Sequence, residues 1–427
     1  MNGRYKVLLL GSGGREHSIA WKLNQSPDLE KLFCIPGNPG ISELAECHQI
    51  SLQNHSEITQ FISKNEIQLV ICGPEAPLAD GLMNHLSESL GNTCILIGPK
   101  LSGARLESSK NFSKEFMFRH NIPTAAYKTF RKEQLSEAKE FILSMKTPIV
   151  LKADGLAAGK GVLICQSHNE AIEEIELMLD GKFGEASEQV VIEEFLSGIE
   201  FSSFILTDGK YYVELPDAKD YKRIGEKDTG LNTGGMGSIS PVHFIDNILR
   251  EKIRNRIINP TIEGLQKENI PYQGFIFFGL INVNGDPFVI EYNCRLGDPE
   301  TESIMLRIKS DLLQAFIACG SGTLNDYSMS THDHYAATVF LVSGGYPDNF
   351  EKGKEIFNYK DCPEDSYIFH AGTQIKDGKL VTSGGRVIAL SSISKTKDQA
   401  IQKSLYMAKQ IQYDGKYYRK DIGFDLE

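Results

Sequence analysis

Four apolar runs near the N-terminus, KVLLLG, KLFCIPG, IQLVICGP and TCILIGP, each lead into helix-like or turn-rich sequence. Continuous apolar strands separated by helices leave no face for water, so they pack as a parallel sheet covered on both sides. The pattern holds from residue 6 to about residue 100 and sets the class as α/β. In open parallel sheets, ligands bind at the carboxyl ends of the strands. Here those ends carry GSGGREH, PGNPG, GPEAPLADG and GPK, which together form a candidate pocket.

Beyond residue 100 the pattern changes. SGARLESSKNFSKEFMFRH predicts a helix over about 101–122, closed by Pro123. TPIVLKADGLAAGKGVLIC predicts strand, glycine loop, strand, then a helix (NEAIEEIELML) and a strand (QVVIEEFL). EFSSFILTDGKYYVEL reads as a hairpin turning at DG, and residues 216–240 as a long polar loop. A helix near 246–268 precedes the strand pair GFIFFGLINVNGDPFVIEYN, and a small mixed α/β unit lies beyond about 330.

A formal net charge of −11 argues against nucleic acid as the main partner, so an anionic substrate needs a local basic pocket. The eight cysteines are scattered without CxxC spacing and read as reduced core residues. The chain enters a strand directly after MNGRY, and its longest apolar run, near FIFFGLI, is too short to span a bilayer. A cytoplasmic protein without a membrane partner is expected.

Three glycine loops carry candidate chemistry. GSGGRE follows a strand and opens a helix, but Glu16 stands at the last glycine position of a dinucleotide fingerprint, which disfavours an NAD enzyme. A sugar-phosphate site shared with PGNPG and a pair of simple tight turns both remain open. ADGLAAGKGV is not a P-loop, because Gly161 replaces the hydroxyl residue and the chain continues into a strand. It reads as a hairpin able to fold over polyphosphate, with Lys152 and Lys160 supplying charge. DTGLNTGGMGSISP, preceded by Lys219, Lys222 and Arg223, is either a substrate loop or a solvated mobile one. In VIEYNCRLGDPET, strand alternation puts Glu291, Asn293 and Arg295 on one face and Ile290, Tyr292 and Cys294 on the other. That polar row is either a solvated edge or a ligand site.

In this order along the chain, GSGGREH, GNPG, GPEAPLADG, KADGLAAGKGV, VIEEFLSG, DTGLNTGGMG, IEYNCRLGDPET, SGGYP, HAGT, TSGGRV and YYRKDIG resemble the phosphoribosylamine–glycine ligases of the ATP-grasp superfamily. The resemblance implies ATP-dependent joining of glycine to 5-phosphoribosylamine in purine biosynthesis, by a chain expected to act as a monomer. It implies an N-terminal parallel-sheet (pre-ATP-grasp) domain over 1–105, a two-lobed ATP-grasp core over 106–328 with a mobile lobe at about 124–196, and a C-terminal cap over 329–427.

Glu291 and Asn293 match the metal ligands, hard oxygens suited to Mg²⁺ or Mn²⁺. Arg295, Lys152 and Asp298 match the catalytic set. Lys110, Lys152 and Lys160 would hold phosphates, with Glu193, Glu194 and Leu196 on the adenine and Glu200 on the ribose. Gly13, Gly14, Gly37, Asn38, Gly40, Glu75, Asp217 and Arg295 would bind the other substrates. One segment departs from the family's Gln-Asp-His-Lys-Arg, reading Lys219-Asp220-Tyr221-Lys222-Arg223. A different ATP-grasp ligase and a non-catalytic nucleotide sensor are the competing readings. The first would release ADP without glycine and phosphoribosylamine, and the second has no need of the row from Glu291 to Arg295.

Overall fold

Residues 4–157 and 161–426 are described in the computed structural model; Lys160 therefore lies outside the described residues. The first sheet is parallel, in the order Glu46–Cys47, Leu29–Pro36, Tyr5–Gly11, Leu69–Cys72, Ile95–Ile97. Val7 to Leu10 are wholly buried, as a strand covered on both faces requires. From its central first strand the chain winds to one side, then returns to the other. The switch point thus lies beside Tyr5–Gly11, where the loops GSGG and GPEA emerge together.

Two antiparallel four-stranded sheets follow. The outer one has the order Tyr127–Arg131, Gln189–Glu194, Ile149–Ala153, Val162–Cys165. The helices Leu135–Ser144 and His168–Leu177 back it, and its core of Phe130, Ile142, Leu151, Ile175 and Ile192 is separate from the others. The central sheet orders Tyr212–Glu214, Ile199–Thr207, Gly274–Val283 and Asp286–Asn293. Its last hairpin turns at Asn284 and Gly285, both with positive φ, a conformation that asparagine and glycine tolerate.

The structure corrects four local expectations. The helix over 101–122 is two helices, Leu101–Ser108 and Lys110–Arg119. Ser109 breaks them because its extended backbone lets the hydroxyl accept from the Phe112 N–H at 3.1 Å. The helix near 246–268 contains a π-turn at Arg254–Ile258, just before Pro260, which has no N–H to donate. The polar stretch 216–240 is not a free loop. Lys219–Asp220 and Gly237–Ser240 join the C-terminal sheet with Tyr335–Val342, Arg386–Ser394 and Ser366–His370, while Arg223–Gly225 pairs with Thr229–Asn232.

The fourth correction bears on the polar row. A bulge at Ile290 sets Glu291 opposite Gly279 and Val289 opposite Leu280. Ile290 is consequently half-buried beside Glu291 and Asn293, while Val289, Tyr292 and Cys294 face the core. Among the described residues no helix is long and apolar enough to cross a membrane.

Candidate active site

At the switch point, Glu16 is buried beneath the GSGG loop. Its carboxylate accepts from the Gly13 N–H at 2.6 Å and pairs with the Arg15 Nε at 2.6 Å. A Cβ at Gly11 or Gly73 would collide with this side chain, so both glycines make room for it. The Gly13 N–H is thus already partnered. Gly14 lies against Glu302, whose two carboxylate oxygens are buried without a hydrogen-bond partner among the described residues.

The PGNPG loop is braced from beneath. Asn38 Nδ2 donates to the Ser12 and His370 carbonyls at 2.8 Å each, and its Oδ1 accepts from the Ile41 N–H at 2.9 Å. That side chain is committed to holding the loop, a scaffold role where a substrate contact was expected. Gly37, with φ of +74°, makes the turn, and Gly40 packs on His17 and His370, where a Cβ would overlap both rings. His17 Nδ1 accepts from the His370 N–H at 2.7 Å.

Burial lowers the His17 imidazole to about 3, with His370 adding to the effect, and burial lowers His370 to about 4. Both folded values lie below the ordinary value near 6.5, so their contribution to stability is complete above that pH and lost as pH falls through 6.5 toward 4. We expect about 2 kcal/mol of destabilisation per imidazole at pH 5 relative to pH 7. Urea midpoints at the two pH values check this, and His17→Gln should shrink the difference.

Asp298 is held by the C-terminal unit: Arg386 Nη1 is 3.0 Å from its Oδ1 and 2.8 Å from its carbonyl oxygen. Arg295 lies between Glu75 and Glu107, at 3.4 and 3.0 Å. Burial opposes the charged form of Glu75, but Arg295 and Arg15 together hold its carboxyl below the usual range. Arg295 therefore ties the first sheet's loops to the strand of Glu291.

Lys152, on the strand entering the glycine hairpin, donates to the Ile290 carbonyl at 3.2 Å and pairs with Glu193 at 2.9 Å. The outer lobe thereby touches the strand one residue from Glu291. Lys110 Nζ donates to the Gly155 carbonyl at 3.1 Å; burial lowers its pKa, while Glu291 and other nearby carboxylates oppose the shift. No described residue bonds the side chains of Glu291 or Asn293, which leaves two hard oxygen donors on one face, a set that fits a divalent cation keeping several waters.

Glu194 is exposed, and its N–H and carboxylate both bond Ala126 at 3.0 and 2.8 Å, so its N–H serves sheet pairing where an adenine contact was expected. Leu196 is half-buried just past the strand. Glu200 pairs with Lys222 at 2.9 Å.

Asp217 is placed apart from these residues. It accepts from Ser203 at 2.6 Å and from Arg250 at 2.7 Å. Ser203 opposes Phe278, whereas Ser202 opposes Gly279 and through it Glu291, so Asp217 lies at the other face of the central sheet. Asp220 comes near Glu291 instead. Burial raises its carboxyl, Lys222 opposes that, and Glu200 and Glu291 lie close enough to contribute. Burial and Asp220 also push Glu300 up to about 7.

The departing residues turn the opposite way. Lys219 pairs with Asp425 at 3.1 Å and lies over the Tyr221 ring, whose hydroxyl donates to Asp425 at 2.7 Å. Period-two alternation through DAKDYKR would have separated Asp220 and Lys222 from Lys219 and Tyr221. No local signal pointed to Arg386, Glu302, His17 or His370 as members of the site.

Three family models cover most of the chain: "Phosphoribosylglycinamide synthetase, N domain" at residues 5–107, its "ATP-grasp (A) domain" at 108–301 and its "C domain" at 336–425. A phosphoribosylamine–glycine ligase of Agrobacterium fabrum is 42% identical over 419 residues, covering 98% of each chain. A bifunctional purine biosynthetic protein of Pichia angusta is 44% identical over 98% of this chain, which spans only 53% of that longer relative. The crystal structure of a phosphoribosylamine–glycine ligase from Thermotoga maritima matches with a TM-score of 0.86 at 36% identity, covering 98% of this chain and 100% of that one.

Proposed function

The chain belongs to the phosphoribosylglycinamide synthetase family, and from that membership we propose that it joins glycine to 5-phosphoribosylamine at the expense of ATP, giving 5-phosphoribosylglycinamide, ADP and phosphate in purine biosynthesis. The observation that carries the site assignment is the reach of Lys152, paired with Glu193 on the neighbouring strand, across the cleft to the Ile290 carbonyl beside Glu291. A phosphate lysine and a ligand strand meet there.

Glycine's carboxylate attacks the γ-phosphate, forming glycyl phosphate and ADP. The amine of phosphoribosylamine then attacks the activated carbonyl, and phosphate leaves. Lys152 and Lys110 orient the phosphates, and Arg295 meets the charge that develops on the transferred group. Asp298, fixed by Arg386 beside Gly13, orients the amine substrate. Glu291 and Asn293 would hold Mg²⁺ or Mn²⁺, which when bound would neutralise charge on the phosphates. Glu193 Oε1, buried and without a partner, is an acceptor for the exocyclic amine of adenine. The lobe around residues 124–196 closes over the nucleotide and excludes water, which an acyl phosphate would not survive. With this reading goes a monomer as the working form, and eight free cysteines suit the reducing cytoplasm.

The decisive assay follows ADP release. It should require glycine and phosphoribosylamine together, with at most a few per cent of the rate when either is left out. Equal release with bicarbonate in place of both would overturn the assignment.

A further inference from the structure

Three charged side chains lie buried together beneath the nucleotide cleft: Lys114, Lys152 and Glu193, exposed by 2%, 5% and 3%. Both ammonium groups reach the same carboxylate oxygen, Glu193 Oε2, Lys114 at 3.1 Å and Lys152 at 2.9 Å. One carboxylate cannot neutralise two lysines, so the cluster carries an excess positive charge that a purely structural ion pair would not need. The other oxygen, Oε1, is buried with no partner among the described residues.

The two lysines are not equivalent. Lys114 stands on the helix Lys110–Arg119 and donates also to Thr124 Oγ1 at 2.7 Å and the Ala125 carbonyl at 3.4 Å. Thr124 in turn donates to the Val289 carbonyl at 2.7 Å, so Lys114 is anchored to the strand that carries Glu291. Among the described residues, Lys152 has only the Ile290 carbonyl besides Glu193. When Lys152 turns to a phosphate, Glu193 must not be left as a lone buried charge, because an unpaired buried carboxylate costs far more than the pair.

We propose that Lys114 is a positioning residue that keeps Glu193 neutralised, and thereby frees Lys152 to leave that carboxylate for the nucleotide's phosphates. The inference deepens the nucleotide reading above and rests on it. Burial lowers the Lys114 pKa to about 8, with Glu193 pulling it back up, which agrees with a lysine held charged by its partner. Burial also opposes the charged form of Glu193, but Lys152 and Lys114 outweigh it and keep that carboxyl below its usual range.

Titration calorimetry with a non-hydrolysable ATP analogue and magnesium tests this on the full chain. Lys114→Met should weaken binding on the order of 30- to 100-fold, because Lys152 stays locked to Glu193. Lys114→Arg should bind within about 5-fold of the parent. Adding Glu193→Gln to Lys114→Met removes the charge that needed neutralising, and the constant should return to that of Glu193→Gln alone. Parental affinity in Lys114→Met overturns the proposal. So does a further tenfold loss on removing Lys114 from Glu193→Gln, since Lys114 would then act on the ligand itself. That second comparison decides the matter if Lys114→Met alone does not fold. Failure of the parent chain to bind the analogue would instead remove the nucleotide reading.

Discussion

Replacing Glu291 and Asn293 together by alanine lowers turnover by about three orders of magnitude or more at millimolar magnesium. The chain itself should survive the change. Neither side chain bonds a described residue, and both lie half-buried on the face opposite Tyr292 and Cys294, so their loss opens no core cavity. Melting should therefore shift by only about a few degrees. On the proposed assignment these hard oxygen ligands would hold a cation beside the phosphates, and no neighbouring acid on Gly274–Val283 can replace them, since that strand reads GFIFFGLINV. Glu291→Asp should recover part of the rate by keeping the charge. Turnover near that of the parent in the double variant would remove the metal assignment.

Arg295→Met should damage two things, and they can be separated. Its guanidinium lies between Glu75 and Glu107, and the Glu107 side chain, 8% exposed, has only the Cys294 N–H, at 2.7 Å, as a further partner among the described residues. Burial already raises the Glu107 carboxyl, and Arg295 is the main force opposing that. Removing the arginine strands a buried carboxylate and should destabilise the protein by about 3–5 kcal/mol. Turnover should fall on the order of 10²- to 10³-fold, the usual loss when a positioned cation is withdrawn from a developing anion. Adding Glu107→Gln restores the urea midpoint without restoring the rate. If rate and midpoint return together, Arg295 only ties the first sheet to the ligand strand.

The parts of the site that could be read in the sequence share a property: their geometry repeats over a few residues. Glu291 and Asn293 share a face because strands alternate, and the bulge falls at Ile290, before the row begins; Arg295 lies past the strand's end at Asn293. Lys152 flanks the glycine hairpin because Ile149–Ala153 pairs directly with Val162–Cys165. Asp217 misled because its face is decided by Ser203 on another strand, and nothing in LPDAKD records that register. Asn38 and Glu194 misled for a related reason. Both lie in the expected loop or strand, but their polar groups are consumed by His370, Ile41 and Ala126.

The amino-acid order alone determined the parallel sheet, the two strands flanking the outer lobe's glycine hairpin, and the strand that carries Glu291 and Asn293. Hydrophobic period and turn chemistry act between near neighbours, and those terms are written locally. Folding in three dimensions decided which charges share a partner. Lys114 meets Lys152 over one carboxylate, Arg386 crosses from the C-terminal sheet to Asp298, and the His370 N–H closes on His17 from 353 residues away. Such pairings form because a buried charge or N–H must find a partner wherever packing brings one, and packing is a property of the whole chain.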